Sequence, residues 1–284
     1  MEFTPTTALF AAPVLSDAFS RITVRLISVA FPVLLCAGAH AAESSAIVPD
    51  RPDFVESSNV VGKNRFQVES SVAIEKNNRD GVRSGTFATP VLFRFGVSDA
   101  VELRLETDGR LVQRTRDGAT GVSRTERGYA DSSIGMKWHV MDEQEATPSL
   151  AVLLCADLDS GSSAFRGDGV RPSLRVSAEW ELPADYSLGI MPGISAEKNN
   201  AGKRFTSGQF GIVLGKSFSD KFHGFVEVAA SQIALARNGG SHVVLDTGVA
   251  YLLSDSMQID TAVARGLSRN APNSSWTVGF SFKL

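Results

Sequence analysis

Few residues in this chain are equipped for covalent chemistry. The 284 residues include four His and two Cys. Nucleophilic catalysis needs a Ser or Thr beside a base that a third group orients. Past the first apolar run the candidate bases are His139, His223 and His242, and His139 and His223 each sit beside a short turn. His242 has Asp246 four residues on, on the same face of an extended segment, while its neighbour Ser241 points the other way. Packing is therefore the expected role of these histidines. No phosphate loop, paired-Cys zinc motif or His-x-x-x-His spacing appears, so neither a metal nor a cofactor is expected. A net charge of -3 leaves no basic footprint for nucleic acid.

The charged residues are more informative, because many fall at alternate positions between apolar ones. Glu69, Glu75, Arg94, Glu102, Arg104, Glu106, Asp131, Lys137, Arg175, Glu179, Glu181, Glu227, Asp246 and Asp260 all fit this pattern. Val101, Leu103 and Leu105 alternate with Glu102, Arg104 and Glu106, and Ile134, Met136 and Trp138 with Gly135, Lys137 and His139. Such period-two alternation places one set on each face of a strand. If the apolar face meets lipid, the charged face lines a lumen. Two roles then fit these charges: a ladder that filters solutes by size and sign, or an internal salt-bridge network that holds a narrow lumen together.

The elements that must position these residues are strands throughout. Twelve are expected, centred near residues 69, 91, 104, 135, 153, 176, 190, 211, 226, 247, 262 and 279. Their connections alternate in length. Short turns recur with similar residues at Val97–Val101, Leu182–Tyr186, Phe218–Phe222 and Leu253–Met257, where Ser and Asp side chains stabilise tight reversals. Between them fall longer Gly-, Asn- and Arg-rich stretches at 77–84, 108–128, 159–170, 197–205, 237–241 and 268–274.

The N-terminus has a different character. Arg21 and Arg25 precede an apolar run from Leu26 to Ala37 and the small-residue site Ala39-His40-Ala41, the layout of a cleaved secretory signal. Removal of 1–41 would take Cys36 and His40 away and leave Cys155 as the only cysteine, so no internal disulfide is expected. The Pro-interrupted stretch 42–61 reads as an extended periplasmic leader, and 62–284 as the folded domain.

An even number of antiparallel strands, short turns at one end, longer polar loops at the other and an export signal describe a transmembrane antiparallel β-barrel of about 12 strands in the bacterial outer membrane. Phe95, Trp138, Trp180, Tyr186, Phe218, Phe222 and Tyr251 lie near the short-turn end, as one interfacial girdle requires. A soluble β-sandwich shares the alternation but would scatter these aromatics.

The block Gly128-Tyr129-Ala130-Asp131 with Ile134-Gly135-Met136-Lys137-Trp138 resembles that of the outer-membrane transporter family associated with the meta-pathway of phenol degradation. Phe210-Gly211 through Gly215-Lys216-Ser217-Phe218-Ser219-Asp220 and the final Thr277-Val278-Gly279-Phe280-Ser281-Phe282 are similar in kind. The resemblance implies passive passage of small, aromatic or hydrophobic solutes and carries no catalytic residues. Partners expected on this reading are outer-membrane lipid, the small-molecule solute and the barrel-assembly machinery, which would read the C-terminal strand ending at Leu284. Lipopolysaccharide phosphates could meet Arg114, Arg116, Arg124 and Arg127 of the longest loop, in which case a non-conducting surface-binding barrel is the alternative.

Overall fold

The computed structural model describes residues 46–199 and 201–284; the signal-peptide reading over 1–41 lies outside the described residues. Fifteen strand segments make up a single antiparallel sheet. They are β1 (Phe66–Arg79), β2 (Val82–Ala88), β3 (Val91–Gly96), β4 (Val101–Thr107), β5 (Arg110–Asp117), β6 (Ser123–Tyr129), β7 (Ser132–Met141) and β8 (Ser149–Asp157). There follow β9 (Arg171–Leu182), β10 (Tyr186–Lys198), β11 (Arg204–Ser219), β12 (Phe222–Ile233), β13 (His242–Ser254), β14 (Met257–Gly266) and β15 (Ser274–Lys283). The sheet closes on itself where β15 pairs with β1, from Gln67 opposite Lys283 to Lys76 opposite Ser274. Closure leaves no open edge among the described residues at the level of β3, β4 and β7, the condition for a sheet to stand in lipid, while above that level β6 pairs with β5 on one side only.

Three pairs of segments continue one another across a two-residue break: β2 with β3, β4 with β5, and β6 with β7. Counted as continuous staves, they give a closed barrel of 12 strands, as expected. The breaks lie side by side, with Thr89 N–H donating to Asp108 O at 3.1 Å and Ala130 N–H to Gly109 O at 2.8 Å. Pro90 lacks the N–H that a ladder needs. Gly109 has φ +65°, and a Cβ there would come within 2.2 Å of the Thr89 carbonyl oxygen.

Two of the stretches expected as long loops are instead strand. The ladder between β1 and β2 runs to Arg79 opposite Val82, around a two-residue turn in which Asp80 (φ +51°) and Gly81 (φ +81°) are both left-handed. That is the turn whose twist suits a hairpin. Within 108–128, β5 and β6 pair from Arg110 opposite Tyr129 to Arg116 opposite Ser123, so this segment extends the wall as a hairpin.

The two faces divide as the alternation requires. Phe95, Leu103 (51% exposed), Ile134, Trp138, Val226, Val263 and Trp276 point outward, while Arg94 beside Phe95, Glu102 beside Leu103, Lys137 beside Trp138 and Glu227 beside Val226 are buried inside. Phe95, Trp138, Tyr186, Phe218, Phe222 and Tyr251 are exposed on the outer surface near the short turns. Phe218 and Phe222 pack together there, with ring centroids 5.5 Å apart. The facing yields a test: Leu105, outward on β4 between Phe93 and Ile134, should not tolerate a charge. Leu105→Lys is expected to destabilise the inserted barrel by about 2–4 kcal/mol, the cost of a cation near the bilayer midplane, measured by denaturant titration in vesicles.

Candidate functional site

The strands carry charged side chains into an interior already occupied by the chain itself. Residues 46–61, the described part of the stretch 42–61 read from the sequence as an extended periplasmic leader, form no strand, bend at 52–55 and run inside the ring rather than below it. Lys283 Nζ donates to Ala46 O at 3.3 Å and Ile47 N–H to Asp255 O at 2.8 Å, which fixes the point of entry at the short-turn end beside β15 and the β13–β14 turn. The segment rises to Arg51–Val55, turns, and returns to Gly62 beside Gly96 at the same end. Ile47, Asp50, Val55, Glu56, Ser57, Ser58 and Val61 are all buried.

A segment with no strand beside it must find other partners for its backbone, because unpaired N–H and C=O groups are costly when buried. The lumen carboxylates supply the acceptors. Glu69 accepts from the N–H groups of Asp50 (2.9 Å) and Arg51 (3.1 Å), and Glu227 from those of Phe54 (2.8 Å) and Val55 (2.7 Å). Glu179 takes Ser58 N–H at 2.6 Å and Glu102 takes Val61 N–H at 2.9 Å. The cations supply the donors: Arg94 reaches Val48 O and Asn59 O, and Lys137 reaches Ser57 O at 2.8 Å. Ser177 Oγ donates to Glu56 O.

The leader's own carboxylates complete the lock. Asp50 lies 2.6 Å from Arg104, 2.7 Å from Lys137 and 3.2 Å from Arg94. Glu56 lies 2.8 Å from both Arg104 and Arg175. Arg94 and Arg104 are also held by Glu102, at 2.8 and 3.0 Å. Nearer the apex Arg51 pairs with Glu106 at 2.7 Å, the most open of these pairs. Burial alone would raise the Asp50 carboxyl, but Arg94, Lys137 and Arg104 outweigh it and hold it well below the usual range. Glu56 is lowered likewise, Arg104 and Arg175 overcoming its burial. Val55 adds an apolar contact with Met191 and Val213, flanked by Phe54 and Phe225.

Eight of the lumen candidates read from the sequence thus meet in one seat: Glu69, Arg94, Glu102, Arg104, Lys137, Arg175, Glu179 and Glu227, with Glu106 at its upper margin. Asp246 stands opposite Glu227 on the neighbouring strand, and Asp260 lies against Gly279. Asp131 serves elsewhere, accepting from Gly161 N–H, Gly167 N–H and Arg171 at 2.7–2.9 Å and so anchoring the 158–170 connection. Glu75 and Glu181 are exposed, toward opposite rims. The sequence reading missed Asp50, Asp53 and Glu56, three acids at spacing three within the stretch taken as leader.

The grip is uneven. Charged partners come from β1, β3, β4, β7, β9, β12 and, at the point of entry, β15, whereas β10, β11 and β13 present Ser187, Gly189, Gly215 and Ala250 toward the leader. Between that side and the leader lies a cavity of about 300 Å³, lined also by Pro49, Val55, Phe225, Leu252, Ser217 and His223. His223 Nδ1 is 2.9 Å from Ser217 Oγ, and among the described residues no carboxylate joins them as an orienting third group. His139 is spent between Ser58 O and Asp142, both at 3.0 Å.

The sequence model of a family described as "Putative MetA-pathway of phenol degradation" matches residues 49–284, which takes in the leader as well as the strands. No curated protein matches the chain. Among solved structures, an outer-membrane channel from Pseudomonas putida F1 is similar at 11% identity and a TM-score of 0.55, covering 82% of this chain and 99% of that one. The NanC porin follows at 11% identity and a TM-score of 0.49, over 77% of this chain and 100% of that one. At these identities the likeness is one of fold.

Proposed function

The chain belongs to the MetA-pathway family of phenol degradation, and from that premise we propose that it is an outer-membrane channel for passive passage of small, aromatic or hydrophobic solutes, with residues 46–61 as its internal plug. Its place is the bacterial outer membrane, reached after removal of 1–41, with residues 62–284 as the barrel. The apolar outer face meets lipid and lipopolysaccharide, and the alternating C-terminal strand serves the barrel-assembly machinery. No catalytic role is assigned.

The observation that carries this reading is the closed ring with an apolar exterior and a polar interior in which residues 46–61 are seated. The cavity beside the leader has room for such a solute, since about 150 Å³ is enough to hold benzene; its lining sets Val55, Val213, Phe225 and Leu252 beside small polar groups and the charged Arg51, Asp53, Glu179 and Lys216. Wider solutes would need the leader to move aside. A second reading, a non-conducting barrel acting through its outer surface, is favoured by the number of buried ion pairs in the seat. Single-channel recording separates the two.

The seat also gives a pH dependence. Enclosure in the lumen, with the charges of Glu227 and Asp246 close by, pushes the Asp53 carboxyl well above its ordinary 3.8. A carboxyl raised on seating stabilises the seated state below its free value and loses that contribution as pH rises through the seated one. Asp50 and Glu56, lowered on seating, act in the opposite sense and only at more acid pH. Raising the pH from about 4 is therefore expected to loosen the leader, and Asp53→Asn to weaken this response, read as open probability against pH. A wild-type pH profile in Asp53→Asn would contradict the assignment.

A further inference from the structure

On the outer surface, Val263, Trp276, Ile74, Phe87 and Val112 are successive cross-strand partners in one row over β14, β15, β1, β2 and β5. Below this row the outward positions of the same staves are mainly apolar, among them Ile259, Val278, Phe280, Val72, Phe93 and Leu105, interrupted by Thr261, Ser70 and the exposed Arg110 beneath Val112, so the row lies near the upper edge of the lipid-facing band. The row above reads Arg265, Ser274, Lys76, Gly85, Arg114. Above that, Arg83 faces Arg116 directly. All five cations are exposed, and the row pairing puts them on the outward face.

Among the described residues no acid neutralises these five. The nearby carboxylates are engaged elsewhere: Asp80 with Arg269 at 3.2 Å, Asp117 with the N–H groups of its own turn, and Glu126 with Arg124 at 2.6 Å on the opposite face of the hairpin. Like charges directly across a ladder destabilise it, so the Arg83–Arg116 pair calls for an anion between them. A groove of about 360 Å³ lies alongside, with Ile74, Phe87 and Val112 for its apolar side and Lys76 and Arg114 at its polar end; Glu75, which also borders it, alternates toward the other face. Gly85 leaves the middle of the groove without a side chain.

We propose that this face of β1, β2 and β5 binds a phosphorylated acyl lipid of the outer leaflet, with an acyl chain in the groove and phosphate on Lys76, Arg114, Arg83 and Arg116. The chemistry fits at both ends. Guanidinium groups take phosphate in bidentate fashion, and a groove at the edge of the apolar band is continuous with the hydrocarbon that an acyl chain already occupies. Of the loop arginines singled out in the sequence, Arg114 and Arg116 take part and Arg124 does not. The proposal rests on the outer-membrane placement above but not on conduction.

The test uses the refolded mature chain in phosphatidylcholine nanodiscs, with phosphorylated lipid A or its dephosphorylated form added and retention read by native mass spectrometry. Heat-modifiable gel mobility of the same samples reports insertion independently. Preferential retention of phosphorylated lipid A is expected, weakened by about tenfold or more in Arg114→Gln/Arg116→Gln. Lys76→Gln alone serves if the double variant does not fold, and should weaken retention in the same direction. Equal retention of the dephosphorylated lipid, or unchanged retention in a variant that inserts, would overturn the site while leaving the barrel reading intact. Complete displacement by inorganic phosphate would overturn it too, since that would make the site one for a soluble anion. Failure of the wild-type chain to insert would instead overturn the membrane placement.

Discussion

Deletion of 47–60 from the mature chain is expected to raise single-channel conductance severalfold while leaving the ring closed. The twelve staves are joined by their own ladders, and the closing pairing between β15 and β1 involves no residue before Phe66. The leader supplies none of these strand pairs. What it supplies is bulk and charge in the lower half of the lumen, where Asp50 and Glu56 neutralise Arg94, Arg104, Lys137 and Arg175. Water can replace it there, because every one of these side chains stands in a polar interior. Barrels of eight strands are filled by their own side chains and those of sixteen hold an aqueous channel; twelve strands cleared of an internal segment fall between the two. Removal of two net negative charges from this level should also shift selectivity toward anions. Unchanged conductance after the deletion would mean that the passage is closed elsewhere.

Asp50→Asn is expected to free the leader without shortening it. Asp50 is shared by three wall cations at 2.6, 2.7 and 3.2 Å, closer together than the three around Glu56 at 2.8, 2.8 and 3.6 Å. Taking one partner from a buried ionic group costs about 3–5 kcal/mol, because the charges left behind stay buried and uncompensated. At about 1.4 kcal/mol per power of ten, that shifts the balance between seated and released leader by roughly a hundredfold or more. The expected readouts are a higher open probability and faster cleavage of 46–61 by protease added at the short-turn face. Combining it with Lys137→Met should recover part of the loss, since the second change removes a cation that the first left unpaired, and a double-mutant cycle measures that coupling. Strict additivity would argue against direct pairing in the seat.

Much of this was legible in the sequence, and the limits have identifiable causes. Facing was clear because the period of a strand is two: a slip of one residue would have exchanged Glu102 and Leu103 between lumen and lipid. The count of staves was legible from the alternating segments that recur along the chain, and their arrangement from the short Ser-Asp turns between longer loops. The hairpins within 77–84 and 108–128 were hidden because Arg, Thr and Gly were read there as loop composition, although Asp80-Gly81 is itself a hairpin signal. The leader was hidden for a deeper reason. Its Pro and Asp residues give it no period, and nothing local indicates that an irregular segment will be satisfied by side chains of staves as distant as Glu227. The excess of acids among the lumen candidates was the available clue. A lumen that needed only internal pairing would balance its signs, whereas Glu69, Glu102, Glu179 and Glu227 are explained once a backbone with free N–H groups lies among them.

Planar-bilayer recording of the intact, refolded mature chain, alone and with small aromatic and aliphatic solutes added, bears most directly on whether this barrel is a channel. Discrete conductance steps are expected, small in the wild type, reduced by such solutes and enlarged in Asp50→Asn. A barrel that inserts and shows heat-modifiable mobility, yet stays silent both as wild type and as Asp50→Asn, would contradict the channel reading and leave the outer surface as the working part of the molecule.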